Sequence, residues 1–180
     1  VAVAAGDGVQ QLFRDLGVQQ IVSGGQTMNP TTEDILHAAE QVPAMDVYVL
    51  PNNKNIVMAA EQAARLARTS GVRRIHVVPT TTIPQGISAM MAYDESAEIK
   101  DNVEAMQEAA SRVQSGSVTF AARDSDYDGH QIKEGELLAL ENGKVAFTGT
   151  DLGSVTAKVA KDLMREDSQF ITLLYGEGVT

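Results

Sequence analysis

The side chains best equipped to bind or transfer something gather in four short stretches: "AGDG" (residues 5–8), "SGGQTMNP" (23–30), "PNNKN" (51–55) and "PTTTIPQG" (79–86). Each follows an apolar run and precedes a segment with helical periodicity. "PNNKN" is the densest, with three asparagines and a lysine where one capping residue would start a helix. Gln26, Asn29, Asn52, Asn53, Asn55 and Gln85 offer both donors and acceptors, and Lys54 adds a point charge. Helix N-termini present free N–H groups and a positive dipole end, so such corners suit phosphate or carboxylate. Taken singly, an asparagine at a helix start is a cap, and Gly24, Gly25 and Gly86 are turn formers. Pro51, Pro79 and Pro84 end strands and stiffen loops. Four polar corners in succession point instead to a working edge, facing either a small molecule or another protein.

Other chemical signatures are weaker. Asp124, Asp126, Asp128 and Gly129 match the first, third, fifth and sixth positions of a calcium loop, but Gly135 stands where the final acidic ligand belongs. The stretch reads as an exposed acidic turn. His37, His76 and His130 have no second ligand at a recognisable spacing and read as structural or solvated, although His76 leads straight into a polar corner. The sequence holds no phosphate loop, nucleophile elbow, zinc-protease helix or dinucleotide fingerprint.

The elements that position these corners follow from periodicity. Val9, Leu12, Phe13 and Leu16 share one helical face, which Gly17 ends. Pro30, Thr31 or Thr32 as cap, and Glu33 with Asp34 signal a second helix start. Ile56, Ala59, Ala60, Ala63, Ala64 and Ala67 form a stripe of mostly small residues suited to close packing on a sheet. Ile99, Val103, Met106, Ala110 and Val113 mark another amphipathic helix. Between them "VAVAA", "QQIVS", "DVYVLP" and "RRIHVVP" read as strands. This alternation predicts an α/β fold, a mainly parallel β-sheet flanked by helices. All strand-to-helix corners of such a sheet lie at its carboxyl edge, where open α/β sheets bind ligands.

From Gly116 the texture changes. "SVTFAAR" and "GELLALENGKVAFTG" are strand-like, and Asn142-Gly143 is a strong turn signal, so an antiparallel hairpin is expected in the C-terminal third. A helix bearing Leu152, Val155, Val159 and Leu163 follows, then a closing strand in "FITLLYGEGVT".

Bulk properties narrow the classes. The 180 residues have the length of one domain, and the expectation is a single α/β domain over residues 1–180, excised from a longer multidomain chain. Val1 opening inside an apolar run without Met, and a strand trailing into turn residues at the other end, motivate that expectation. A formal charge of −10 argues against nucleic acid. The cluster of Arg65, Arg68, Arg73 and Arg74 reads as a solvated helix end. The absence of cysteine excludes disulfides and thiolate chemistry and fits a reducing cytoplasm. No apolar run reaches the roughly 20 residues of a membrane-spanning helix, so no membrane insertion is expected.

At the same corners the chain resembles the middle domain of the bacterial fatty acid kinase large subunit, a dihydroxyacetone-kinase-like protein. "VAAGDGVQQLFRDLG", "SGGQTMNPTTEDIL", "LPNNKNIVMAA" and "VVPTTTIPQG" carry the likeness, with "GSVTFAARDS" and "ITLLYGEG" extending it over essentially the whole chain. The resemblance implies a longer enzyme that phosphorylates a fatty acid held by a small fatty-acid-binding protein, giving acyl phosphate for phospholipid synthesis. ATP and magnesium are expected only in its N-terminal domain, with no cofactor in this one. The isolated chain is then expected to be inactive, serving to dock the fatty-acid-binding partner, to contact its own N- and C-terminal domains, or to hold a homodimer together. Some relatives place a cysteine and histidines near this edge as a metal site. Here Ala4 and Ala5 stand in the first strand and cysteine is absent, so no metal is expected. Carried over by motif, the ligand- or partner-binding positions are Gln26, Thr27, Asn29, Asn52, Asn53, Lys54, Asn55, Thr80 and Gln85. The alternative is a small-molecule site in which Lys54 and the helix N-termini grip a phosphate or carboxylate.

Overall fold

In the computed structural model the described residues are 1–25, 28–127, 130–176 and 179, with the side chains of residues 127 and 130 left aside. The chain divides into two compact units, Val1–Val113 and Gln114–Thr180, near the point where the sequence changes texture.

The first unit alternates strand and helix as the periodicities predict. Its elements are β1 (Ala2–Ala4), α1 (Asp7–Asp15), β2 (Ile21–Ser23), α2 (Thr32–Glu40), β3 (Asp46–Val49), α3 (Lys54–Ser70), β4 (Arg74–Val77), α4 (Ile83–Met91) and α5 (Ile99–Arg112). β1 pairs with β2 and β3 with β4, both parallel. The two pairs meet at a parallel bridge between Ala2 and Leu50, where the Val3 N–H donates to the Leu50 carbonyl and the Leu50 N–H to that of Val1, both at 2.9 Å. The strands therefore lie side by side as β2-β1-β3-β4.

Alternation along these strands sorts the core into two faces. Ala2, Ala4, Leu50 and Val78 pack with Phe13 of α1, Ala89 of α4, and Met106 of α5. Val3, Val22 and Val49 pack with Ile35 of α2 and with Ile56, Ala60 and Ala63 of α3. The small-residue stripe of α3 is thus its sheet-facing side. Order β2-β1-β3-β4 makes the gap above β1 and β3 the place where successive connections diverge, the point at which α/β sheets open a crevice.

The second unit contains β5 (Gly116–Phe120), β6 (Ser125–Tyr127), β7 (His130–Ile132), β8 (Leu137–Glu141), β9 (Lys144–Gly149) and α6 (Leu152–Leu163). Every strand pairing described here is antiparallel, so parallel pairing belongs to the first unit alone. Asn142 and Gly143 join β8 to β9 with φ of 49° and 81°, the paired positive values of a mirror-image hairpin turn. Leu137 and Ala139 face Val155 and Val159 of α6. A Cβ on Gly116 would stand 2.3 Å from Val159, which is how closely the helix seats on β5. The β6–β7 hairpin has no counterpart in the sequence expectations. The expected closing strand does not form: residues 170–176 are described but pair with no strand. A strand needs a partner edge, whatever its residues prefer.

Candidate functional site

The third corner separates positions that look alike in the sequence. Pro51 and Asn52 are buried, and Asn52 adopts φ 56°, a left-handed conformation that asparagine tolerates better than most residues. Its backbone N–H donates to the Thr80 hydroxyl at 3.1 Å, and that hydroxyl donates to Asn52 Oδ1 at 2.8 Å. Asn52 Nδ2 donates to the Val3 carbonyl at 3.0 Å. One side chain thus ties the ends of β1, β3 and β4 together. Asn52 and Thr80 are only 6% and 1% exposed, so these bonds form out of water, where leaving either group unpaired would be costly.

Gly86 belongs to this lock. It lies inside α4, and a Cβ there would stand 2.1 Å from Asn52 Oδ1. The sequence suggests a turn glycine; the structure shows one required by close packing. Its signal is position: inside a helix, four residues after the Thr82 cap, no turn needs a glycine.

The rest of the corner faces outward. Asn53 caps α3, its side chain accepting from the Asn55 N–H at 2.9 Å. Lys54 and Asn55 are exposed in the first turn. At the fourth corner, Gln85 Oε1 accepts from the Thr81 N–H and hydroxyl at 2.7 and 2.9 Å, and the Gln85 N–H donates to the Thr82 hydroxyl. Gln85 therefore serves as a helix-start clasp. At the second corner Asn29 is exposed, while Gln26 and Thr27 lie outside the described residues. Thr31 and Asp34 form the predicted cap as a reciprocal box, and hydrogen bonds from the Thr31 backbone, then its hydroxyl, hold the Asp34 carboxyl below its usual range. Gly25 meets the first corner, where a Cβ would be 3.6 Å from that of Ala5.

Of the nine predicted positions, the structure brings Asn52 and Thr80 into direct contact and commits Asn53 and Gln85 to helix starts. It leaves Asn29, Lys54 and Asn55 exposed. Met28 and Met58 are exposed beside them in sequence, at 74% and 77%. Among the described residues no group of three or more His, Asp or Glu is placed to hold a metal ion. Of the acidic turn, Asp124 accepts from the Glu134 N–H at 2.8 Å and pairs with Lys133, while Asp128 and Gly129 lie outside the described residues.

A second polar cluster sits on the paired strands β3 and β4. Asp46 takes Arg74 on both carboxylate oxygens, at 2.8 and 2.5 Å, and lies 2.8 Å from His76 Nε2. The Arg74 hydrogen bond in particular holds the Asp46 carboxyl below its usual range. The Tyr48 ring packs on His76 and edge-on to Tyr93. Arg65 bonds Gln62 and Arg73 bonds the Glu40 carbonyl, so the arginine cluster serves helix and strand ends.

The whole chain, residues 1–180, matches the FakA-like C-terminal family of fatty acid kinase subunits. The chain belongs to that family. The family description names a C-terminal region, whereas the motifs in the sequence suggest a middle domain. An uncharacterized protein of Staphylococcus haemolyticus is 44% identical over 98% of this chain and 31% of its own length. Protein YloV of Bacillus subtilis is 41% identical with the same coverage, and an uncharacterized protein of Staphylococcus aureus 38% identical over 98% of this chain and 32% of itself. The chain thus spans about a third of the length of these relatives. Among the described residues no helix is long and apolar enough to cross a membrane.

Proposed function

We propose that this fatty acid kinase domain is a non-catalytic docking and assembly module, which presents the carboxyl edge of its parallel strands to the protein carrying the fatty acid. The supporting observation is the division of labour within "PNNKN". Asn52 is locked inside by Val3, Thr80 and Gly86, while Lys54 and Asn55 project from a first turn that Asn53 caps. A corner held that firmly presents its exposed residues with little ordering cost on binding. Exposed Met28 and Met58 add apolar contact area. In this reading ATP and magnesium are handled elsewhere in the longer enzyme, and this edge contributes affinity for the carrier.

The test uses the full-length kinase with Lys54→Ala and Asn55→Ala, assayed with fatty acid loaded on its binding protein. The KM for the loaded carrier should rise about tenfold, as expected for loss of roughly 1.4 kcal/mol of uniform binding, with kcat and the KM for ATP unchanged. An unchanged carrier KM, with saturable phosphate or acetate binding to the wild type that Lys54→Ala abolishes, would instead establish the small-anion reading.

A further inference from the structure

The sulfur chemistry of this chain is confined to methionine. Its 180 residues include seven methionines and no cysteine, so no thiol in it takes up an oxidant before a thioether does. Burial sorts the seven. Met106 lies fully in the core, and Met90 is half-buried against the same cluster. Met28, Met45, Met58, Met91 and Met164 are exposed. Met45 precedes β3 at the amino end of the strands, Met91 ends α4, and Met164 follows α6 in the other unit. Of the five, Met28 and Met58 belong to the carboxyl-edge corners.

Met58 stands one turn after Lys54, and residues four apart share a helix face. The sheet-facing positions of α3 are Ile56, Ala60, Ala63 and Ala67, so Met58 points away from the core. Met28 lies in the second corner. The Gly25 N–H donates to the Met28 carbonyl at 3.0 Å, and a Cβ on Gly24 would stand 2.8 Å from that same oxygen. The backbone at Met28 is thus drawn close against the start of its corner, while its side chain stays exposed.

We propose that Met28 and Met58 form a modification site, at which a hydroperoxide oxidises both thioethers to sulfoxides and so weakens the hold of this edge on the carrier. The inference rests on the docking role proposed above and names its regulation. The sulfur lone pair attacks one peroxide oxygen, and an S–O bond forms as the O–O bond breaks. Sulfur gives up two electrons. The other oxygen leaves with the remaining protons, as water from hydrogen peroxide or as an alcohol from an organic hydroperoxide. Nothing has to unfold, because both side chains are already exposed. The product is a polar, chiral group where a flexible apolar one stood. Burying its oxygen against an apolar surface without a donor is costly. Sulfoxide reductases reverse the change, so the edge can be restored.

The experiment treats the full-length kinase with hydrogen peroxide, then with dithiothreitol, which reverses thiol oxidation elsewhere in the enzyme but leaves sulfoxides in place. After both reagents are removed, peptide mass spectrometry reads the sulfoxide at each methionine. The KM for loaded carrier is compared with that of the same protein before treatment. Met28 and Met58 should oxidise about tenfold faster than Met106 or more, and the carrier KM should rise about tenfold with kcat and the KM for ATP unchanged. Methionine sulfoxide reductases A and B together should restore it. In Met28→Leu with Met58→Leu the treatment should no longer raise the KM, whereas in Met91→Leu with Met164→Leu the rise should persist. Three results would overturn the inference: sulfoxide at both residues with a steady carrier KM, a rise that persists in the Met28→Leu, Met58→Leu protein, and oxidation of Met28 and Met58 no faster than that of Met106. Lys54→Ala with Asn55→Ala separates this failure from failure of the docking role. A raised carrier KM in that variant, beside a wild type insensitive to peroxide, rejects the oxidation site alone; an unchanged KM in both rejects the docking surface as well.

Discussion

The two units bury their polar and apolar groups in different ways. Val1–Val113 has helices on both faces of parallel strands, and every one of the largest fully buried side chains belongs to it, Phe13, Ile35, Leu50, Ile56 and Met106 among them. It also buries the polar trio of Asn52, Thr80 and Asn102. Gln114–Thr180 rests on a smaller cluster under one helix and exposes Phe120, Met164 and most of residues 170–175. A unit with a two-sided core can hold a buried hydrogen-bonded lock that fixes its loops. A thinly covered one leaves apolar surface for a partner. The strand-end corner is therefore fixed by buried hydrogen bonds, and the second unit leaves apolar side chains exposed.

The largest expected effect breaks the lock. Asn52→Ala strips the Val3 carbonyl of its side-chain donor and the Thr80 hydroxyl of its acceptor in a buried setting, at about 3 kcal/mol. The melting transition of the first unit should fall by roughly 10–15 °C, and a separately resolved transition of the second should not move. Gly86→Ala should cost a comparable amount by collision with Asn52 Oδ1. In the double variant the collision partner is gone, so the two costs should fall well short of adding. Additive losses measured by thermal denaturation would show that Gly86 and Asn52 are not coupled.

The converse experiment strikes the second unit. Leu137 is buried against α6, and Leu137→Ala should cost about 2–3 kcal/mol. Loss of α6 and hairpin amide protection is expected, with the Asn52 lock and the exchange of α3 unaffected. Coupled loss in both units would mean that the two fold as one cooperative body.

How far the sequence anticipates this depends on the range of the interaction. Helices and strands of the first unit are legible because each carries its own periodicity: the α3 alanine stripe and the Thr31–Asp34 cap are local signals. The Asn142-Gly143 turn is legible for the same reason, since two positive φ values restrict residue choice at that spot. The roles of Asn52 and Asn53 are not. Adjacent asparagines have the same chemistry, and what separates them is a contact from Asn52 to Val3 and Thr80, far away in the chain. Lys54, Asn55 and Asn29 read as available, and they are exposed. The closing strand rests on real β propensity, but a propensity does not name the edge that will accept it.

The smallest effect concerns Asp46, which joins β3 to β4 through Arg74 and His76. Its folded-state pKa is depressed, chiefly by the Arg74 hydrogen bond. A depressed carboxyl contributes stability that is fully present above its ordinary value near 4, and loses it as pH falls through the folded-state value. Arg74 is largely exposed, so solvent screens the pair and the contribution at neutral pH should be about 1 kcal/mol or less. Asp46→Asn should therefore lower the melting temperature of the first unit by a few degrees at pH 7. Below pH ~4 the difference should shrink, and it should vanish once the wild-type carboxyl is protonated as well. The second unit, whose depressed carboxyls at Asp124, Glu136 and Asp151 are untouched, should follow one acid limb in both proteins. A difference between wild type and variant that persisted at low pH would show that Asp46 acts through packing rather than charge.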